Sequence, residues 1–460
     1  MFEDTIAWRG DAGYEEARVG TVFNARRPDR HPAGVARPTS DEEVVAAVRL
    51  ARERGLKVTV RGGGHSWAAW ALRDDALLID LTRMREITPM DDGAEIVAVS
   101  PSVRGGEELA PWLNARRRMF PGGHCPSVGV GGFLLQGGQG WNCRALGWAC
   151  ESVRAIDVVT ADGELVHASK NENTDLLWAA RGAGPGFFGV VTRFYVQTYP
   201  APKAMTQANQ IYPMAALDDV LAWAHEVLPT LDPLVEPVIA ATFAPHQAEE
   251  FEGVSADEPL LIIHTTVMAD EPGEAAELLA PLTTCPVLHR ALMHEPHAPT
   301  TLADEYAAQD LMNPRGHRYL ADCMWTDAPA AQLAPVLEPT FAGLPTRESF
   351  AIWYGWAPRR ELPDMAFSLE GNVYCATYAV WDDGGRDAEL LGWLDEQMER
   401  WETVSEGVYL GDTDLRRRPD QFMSDEHFAR LQALRAQRDP DGLFCSYHLP
   451  DGATPNRKAP

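Results

Sequence analysis

The sequence predicts an α+β fold in two parts, a region of short strands and helices followed by an antiparallel sheet backed by helices. Three observations point there. Strand and helix patterns in the first 200 residues do not alternate as regular βαβ units. Three glycine-dense loops lie in that region. At Tyr199-Pro200-Ala201-Pro202 the composition shifts, and alternating strand patterns follow.

Taken in order, Ser40 and Glu43 form a capping box. Val44, Val45, Val48, Leu50 and Ala51 then recur at helical spacing as far as Gly55. Strands are expected at Lys57–Val60, Leu77–Leu81 and Glu95–Val99, and a helix at Ser102–Leu113. Ala155–Thr160 and Glu164–Ala168 read as a hairpin around Ala161-Asp162-Gly163, Asp175–Ala180 as a short helix and Val190–Gln197 as a strand. Beyond residue 200, strands are expected at Glu236–Thr242, Leu260–Val267, Ser349–Trp356 and Val373–Trp381. Helices are expected at Glu271–Leu279, Asp387–Trp401 and Asp425–Arg438, the last stopped by Asp439-Pro440-Asp441-Gly442. The division is residues 1–200 (core 36–200), 201–415, and a C-terminal segment 416–460.

The chain of 460 residues, 45% hydrophobic, has apolar material for more than one core. A formal charge of −27 repels phosphate backbones and argues against nucleic acid as a partner. Seven cysteines, sparse and odd in number, do not form a disulfide framework. The opening stretch MFEDTIAWRGDAGYEEARVG has neither a basic n-region nor an apolar h-region, and no run is long enough for a membrane span. A cytoplasmic protein with reduced thiols, monomeric or homodimeric, is the expectation. No metal is expected: His294 and His297 lie in an Ala/Pro-rich stretch that reads as a surface loop.

The first glycine loop is Arg61-Gly62-Gly63-Gly64-His65-Ser66. Three adjacent glycines after a buried strand expose a row of backbone N–H groups, an anion nest; taken alone, a tight glycine-rich turn reads equally well. Spacing excludes both the Rossmann fingerprint and the P-loop. The second runs from Phe120 to Gly140, with Phe, Val, Leu and Trp interleaved, and suits a backbone lying against a flat, bulky ligand. The third is Arg181 to Thr192. Together the three loops point to a bound cofactor.

These residues carry a resemblance. The chain resembles the FAD-linked oxidoreductases of the vanillyl-alcohol oxidase superfamily (PCMH-type FAD-binding domain), in the berberine-bridge-enzyme-like branch. The matching stretches are Val60–Ser66, Cys125–Gly132, Asp157–Gly163, Leu176–Gly182 and Phe188–Thr192, then Phe428–Leu431 and Asp439–Phe444 near the C-terminus. The resemblance implies a two-part FAD-binding domain to which the C-terminal segment returns, and a separate substrate domain. It implies FAD bonded through His65 (8α-histidyl) and Cys125 (6-S-cysteinyl). Further cofactor contacts would come from Arg61, Gly62, Gly63, Gly64 and Ser66 in the first loop, and from Val128, Gly129, Gly131, Gly132, Gly138 and Trp141 in the second. Gly186, Val190 and Val191 complete the set. Read from the residues alone, His65 also fits a hydrogen-bonding nest histidine, and Cys125 a small thiol packed by Pro126.

Departures from the family pattern gather where the flavin ring is expected: Gly411 replaces an asparagine, Tyr447-His448 replaces Asn-Gln, and Phe367-Ser368-Leu369-Glu370 replaces Phe-Pro-His-Arg. Tyr409 matches the family position of a proton acceptor, although its ring alternatively packs on the flavin or core. Glu370, Asp412 and His448 are further candidates, and Tyr374 and Tyr378 share a strand face that suits a pocket wall. The expected activity is an oxidase taking hydride from a small alcohol, sugar, or aromatic or amine substrate to flavin N5, with O2 reduced to H2O2. A flavin dehydrogenase with another acceptor, an oxidative cyclase and a non-catalytic flavin-binding protein are the alternatives.

Overall fold

Ser40 starts the first long helix. In the computed structural model, which describes residues 2–244, 250–358 and 360–456, the Ser40 hydroxyl accepts from the Glu43 amide at 3.4 Å and α1 (Asp41–Glu53) follows. Val44, Ala47, Val48 and Ala51 lie on one stripe and are buried. Glu43 reaches back past Ser40 and accepts from the Thr39 amide at 2.7 Å.

Strands β1 (Ala7–Trp8), β2 (Gly34–Ala36), β3 (Val58–Arg61) and β4 (Leu77–Asp80) form a sheet ordered β1-β2-β4-β3, parallel except for β1. A second sheet is antiparallel. It is built from β5 (Ile87–Pro89), β6 (Ile96–Val99), β8 (Val153–Val159), β9 (Leu165–Ser169) and β10 (Val190–Gln197), ordered β5-β6-β10-β8-β9. A small ribbon pairs β7 (Arg118–Met119) with β11 (Tyr199–Pro200). The glycine-rich second loop contains one helix, α2 (Val130–Leu135).

The expected helix at Ser102–Leu113 begins only at Gly105. The amides of Gly105 and Gly106 bond to the carbonyls of Val128 and Pro126, so they serve the second loop. A wide turn follows, with the Leu109 amide on the Arg104 carbonyl, and regular helix covers Ala110–Asn114.

Residues 204–381 build a seven-stranded antiparallel sheet. Its strands are β12 (Ala204–Pro213), β13 (Val235–Thr242), β14 (Leu260–Ala269), β15 (Met293–Thr300), β16 (Arg318–Thr326), β17 (Phe350–Gly355) and β18 (Val373–Trp381), ordered β15-β12-β14-β13-β17-β18-β16. Side chains alternate between its faces. Odd-numbered residues such as Ile239, Ile263, Trp353 and Cys375 bury themselves under α3 (Leu217–Val227), α5 (Ala330–Ala342) and α6 (Asp387–Trp401). Even-numbered residues of β13, β14, β17 and β18 line a cavity, to which α4 (Leu302–Met312) also contributes. His294 and His297 belong to the edge strand β15 and not to a loop, with both side chains exposed. Its prolines, Pro296 and Pro299, are tolerated because an edge strand has one unpaired side.

After α7 (Asp425–Arg438) the chain returns to the first sheet. The Asp439 carboxylate stops the helix by accepting from the amides of Leu443 and Phe444 at 2.6 and 3.0 Å. Cys445 then donates to the Val58 carbonyl, and Val58 to the Leu443 carbonyl, both at 2.8 Å. No helix among the described residues is long and apolar enough to cross a membrane.

Candidate active site

The three glycine loops and the even face of the large sheet enclose one continuous cavity of about 810 Å³. The first loop lines it from Arg61 to Trp67. From Gly62 to Ser66 no backbone N–H donates to a protein acceptor among the described residues. Such a row of free amides is an anion site. Gly64 has φ +75°, and a Cβ there would strike the Thr21 carbonyl, so glycine is required.

Arg61 lines the cavity, but its guanidinium is held elsewhere. Its guanidinium is buried against Asp80 at 2.7 Å and donates to the carbonyls of Ala17 and Arg18 at 2.7 and 2.5 Å. It therefore ties β3 to β4 and the N-terminal segment, because a buried charge needs a partner.

The second loop packs backbone to backbone on the first. A Cβ on Gly63 would come within 2.6 Å of the Gly129 nitrogen. Gly132 is different: an added Cβ meets nothing within 4 Å, and the residue lines the cavity. Val128, Gly129, Gly131, Trp141 and Val191 also line it. Gly138, Gly186 and Val190 do not. Gly138 gives its amide to the Tyr409 hydroxyl at 3.1 Å, Gly186 packs on the ring of Tyr447, and Val190 is buried within β10.

His65 and Cys125 both line the cavity. The His65 ring stacks on Phe23 at 4.0 Å, and its Nε2 lies 2.9 Å from the Ser127 hydroxyl. Burial pushes its pKa down to about 3, assisted by the charges of Arg315 and Arg104, so the ring is a neutral imidazole with one unprotonated nitrogen. Burial pushes the Cys125 thiol up to about 12, with Asp412 and Asp310 adding to the shift. Cys143 and Cys150 are buried core residues.

Among the four expected proton-acceptor candidates, the cavity separates two from the others. Asp412 and Tyr409 line it; Glu370 and His448 do not. Glu370 accepts from the indole N–H groups of Trp148 and Trp356 at 2.7 and 2.9 Å, which fixes a tryptophan cluster. His448 lies between Arg30 and Arg416 at 2.6 and 2.8 Å. Burial and the charges of Arg73, Arg30 and Arg416 push it down to about 3, far from a working base at neutral pH. The Tyr409 hydroxyl is occupied by Gly138, and burial raises its pKa above the ordinary tyrosine value, as does the charge of Asp412. A Cβ on Gly411 would strike the Tyr409 ring, so the absent asparagine and this ring position go together.

Asp412 has the most distinctive surroundings. One oxygen accepts from the Trp67 indole at 2.8 Å and the other from the Tyr374 hydroxyl at 2.6 Å. Tyr378 is a further hydrogen-bond partner, and no ion pair forms among the described residues. Burial raises the pKa of Asp412. It also raises those of Tyr374 and Tyr378, which stay neutral donors.

Sequence reasoning missed a second polar group in the cavity. His264 on β14 places Nδ1 2.7 Å from Asn209 Oδ1 and Nε2 3.0 Å from Glu305, while Thr300 donates to the other Glu305 oxygen at 2.7 Å. Glu236 accepts from the amides of Asn142 and Arg144 and from the Tyr354 hydroxyl. The available signal was a histidine or glutamate inside a β-branched apolar run, the kind of polar residue that must find a partner when buried. Gln139 and Trp141 also line the cavity, and the Gln139 amide nitrogen and Trp141 indole N–H are buried without an acceptor among the described residues.

An FAD binding domain model matches residues 32–169. The FAD-linked oxidoreductase janO of Penicillium janthinellum is 36% identical over 445 residues, covering 95% of this chain and 96% of the relative. The chain belongs to the FAD-linked oxidoreductases. Its fold matches the Physcomitrella patens BBE-like 1 protein with a TM-score of 0.80 and 18% identity over 96% of each chain. A xylooligosaccharide oxidase of Thermothelomyces thermophilus is 40% identical, but over 205 residues, 44% of this chain and 39% of that one. The fold matches 6-hydroxy-D-nicotine oxidase from Arthrobacter nicotinovorans with a TM-score of 0.81 and 22% identity, over 96% and 97% of the two chains. It also matches a glucooligosaccharide oxidase from Acremonium strictum that carries 6-S-cysteinyl, 8α-N1-histidyl FAD, with a TM-score of 0.80 and 19% identity over 96% of each chain.

The residues present fit FAD. Free amides at Gly62–Ser66 suit a pyrophosphate, and open space beside Gly132 leaves room for a ring system. In this oxidoreductase, Gly132→Leu should fold, since α2 accepts leucine, yet be purified without the visible flavin band. A yellow Gly132→Leu protein with wild-type flavin content would contradict this placement.

Proposed function

We propose that the protein is an oxidase of an alcohol-bearing small molecule, with FAD tethered by His65 and Cys125 and O2 as the electron acceptor. In this reading residues 1–200 and 416–460 hold FAD, and residues 201–415 hold substrate. The bound flavin supplies the hydride acceptor. Asp412 takes the hydroxyl proton, directly or through Tyr374 or Tyr378, which donate to it and line the same wall. The carrying observation is that Asp412 is a half-buried cavity carboxylate whose hydrogen-bond donors among the described residues are the neutral groups of Trp67, Tyr374 and Tyr378. Its proton affinity is raised without a cation to oppose proton uptake, as a general base requires. His65 is neutral and able to attack, and a solved neighbour with His and Cys linkages supports the tether. Names of the partial relatives, xylooligosaccharide oxidase and glucooligosaccharide oxidase, support an oxidase in the broad sense.

The test is to reduce the holoenzyme with dithionite and then admit oxygen. Rapid reoxidation with one H2O2 released per flavin is expected. Reoxidation by a quinone dye but not by oxygen would replace this reading with a dehydrogenase.

A further inference from the structure

One cross-strand row of the large sheet links the two polar groups of the cavity. His264 pairs with Val238, Val238 with Tyr354, and Tyr354 with Tyr374, each in direct register. Directly opposed residues point to the same face, and all four line the cavity. Tyr374 donates to Asp412 at one end of the row, and His264 meets Glu305 at the other. Three strand spacings of about 4.8 Å separate the ends by about 14 Å. On one side the next row on this face pairs Glu236 with Thr266, and on the other it is Ile262, Ala240 and Ile352, in register and also lining the cavity. The Ile262 row has no polar side chain.

We propose that this row is a ruler selecting an elongated, largely apolar alcohol. Its oxidised carbinol lies at Tyr374 and Asp412, and a second oxygen function lies about 14 Å away at the His264–Glu305 end. The proposal rests on Asp412 as the proton acceptor. A separate observation marks the remote end as a ligand site. Trp141, which the family resemblance gives to FAD, is assigned here to that end instead: it lines the cavity packed against His124, which feels the charges of Glu305 and His264, and its buried indole N–H has no acceptor among the described residues. A buried donor left unpaired is costly, and a ligand oxygen would satisfy it. Both ring nitrogens of His264 already face acceptors, so His264 and Glu305 shape a polar end at which Trp141 donates. Between the ends, Val238, Ala240, Ile262 and Ile352 offer no hydrogen bond to the successive hydroxyls of a sugar chain, whose desolvation would go uncompensated there; the polar exceptions are Tyr354, whose hydroxyl is already given to Glu236, and Thr266 opposite Glu236.

The probes are α,ω-alkanediols of increasing length, the mono-alcohols of equal length, and xylobiose. Each is titrated into the oxidised holoenzyme, with binding read from the flavin absorbance. The diol whose oxygens span about 14 Å should bind about tenfold more tightly than its mono-alcohol. Trp141→Phe, which removes the N–H and keeps an aromatic ring, should erase that difference, as should His264→Leu if it retains the wild-type flavin spectrum. Affinity independent of diol length, equal affinity for diol and mono-alcohol, or tighter binding of xylobiose would overturn the ruler. Flavin bleaching by the same alcohols under anaerobic conditions separates the two readings. A length optimum in binding without bleaching leaves the ruler standing and removes the alcohol-oxidising role of Asp412.

Discussion

Asp412→Asn is expected to slow anaerobic reduction of the flavin by substrate by about 10²–10⁴-fold, the usual worth of a positioned general base. The replacement keeps shape and one acceptor oxygen, so Trp67 or Tyr374 still finds a partner and the cavity wall should hold. Stopped-flow bleaching of the bound flavin measures the rate without interference from oxygen. The pH dependence sharpens the test. Burial raises the pKa of Asp412, so its basic form is lost at a higher pH than for a free carboxylate, near 3.9. Wild-type kcat/KM should therefore fall as pH decreases through that raised value, and the asparagine variant should lose this acid limb. Unchanged reduction in Asp412→Asn, with abolition in Tyr409→Phe, would return the role to Tyr409 and remove it from Asp412.

Flavin retention should show the largest all-or-none effect. After acid precipitation, wild-type protein is expected to keep its colour in the pellet, and each of His65→Ala and Cys125→Ala should keep it through the remaining bond. The double variant should release all flavin to the supernatant, and intact mass should drop by one FAD. Complete release from wild type would end the covalent assignment. The singles should differ in ease of loading. His65 is already a neutral nucleophile, whereas the Cys125 thiol is held near 12 and must lose a proton before sulfur can attack. Incubating flavin-free protein with FAD should therefore attach flavin faster in Cys125→Ala than in His65→Ala.

The cofactor half of the molecule was legible because its signals are local. Ser40 and Glu43 mark a helix start, and the density of glycine in three loops has few uses in a folded chain. The large antiparallel sheet depends on pairing between distant segments, which local pattern does not encode. Strand β12 alternates with polar Gln207, Asn209 and Gln210, β15 contains two prolines, and α5 continues through Pro335 and Pro339. Each breaks a propensity rule that tertiary packing overrides. Glu370 and His448 stand among the departures from the family pattern, and both proved to be held by other side chains: indole N–H groups satisfy one, and two arginines flank the other. His264 and Glu305 went unrecognised because they lie 41 residues apart and meet only when β14 and α4 come together.

The C-terminal return to β3 dictates an order of biogenesis. Lys57 bonds to the Gly442 carbonyl across 385 residues of sequence, beside the strand bridge between Val58 and Phe444. A nascent chain emerges from the ribosome N-terminus first, so β3 waits exposed through the synthesis of the large sheet before its neighbour arrives. The Phe444–Ser446 stretch also forms part of the cavity wall. The cavity therefore closes only after residues 444–446 have been made, which makes ligand capture late in synthesis and leaves an unpaired strand edge for chaperones to guard until then.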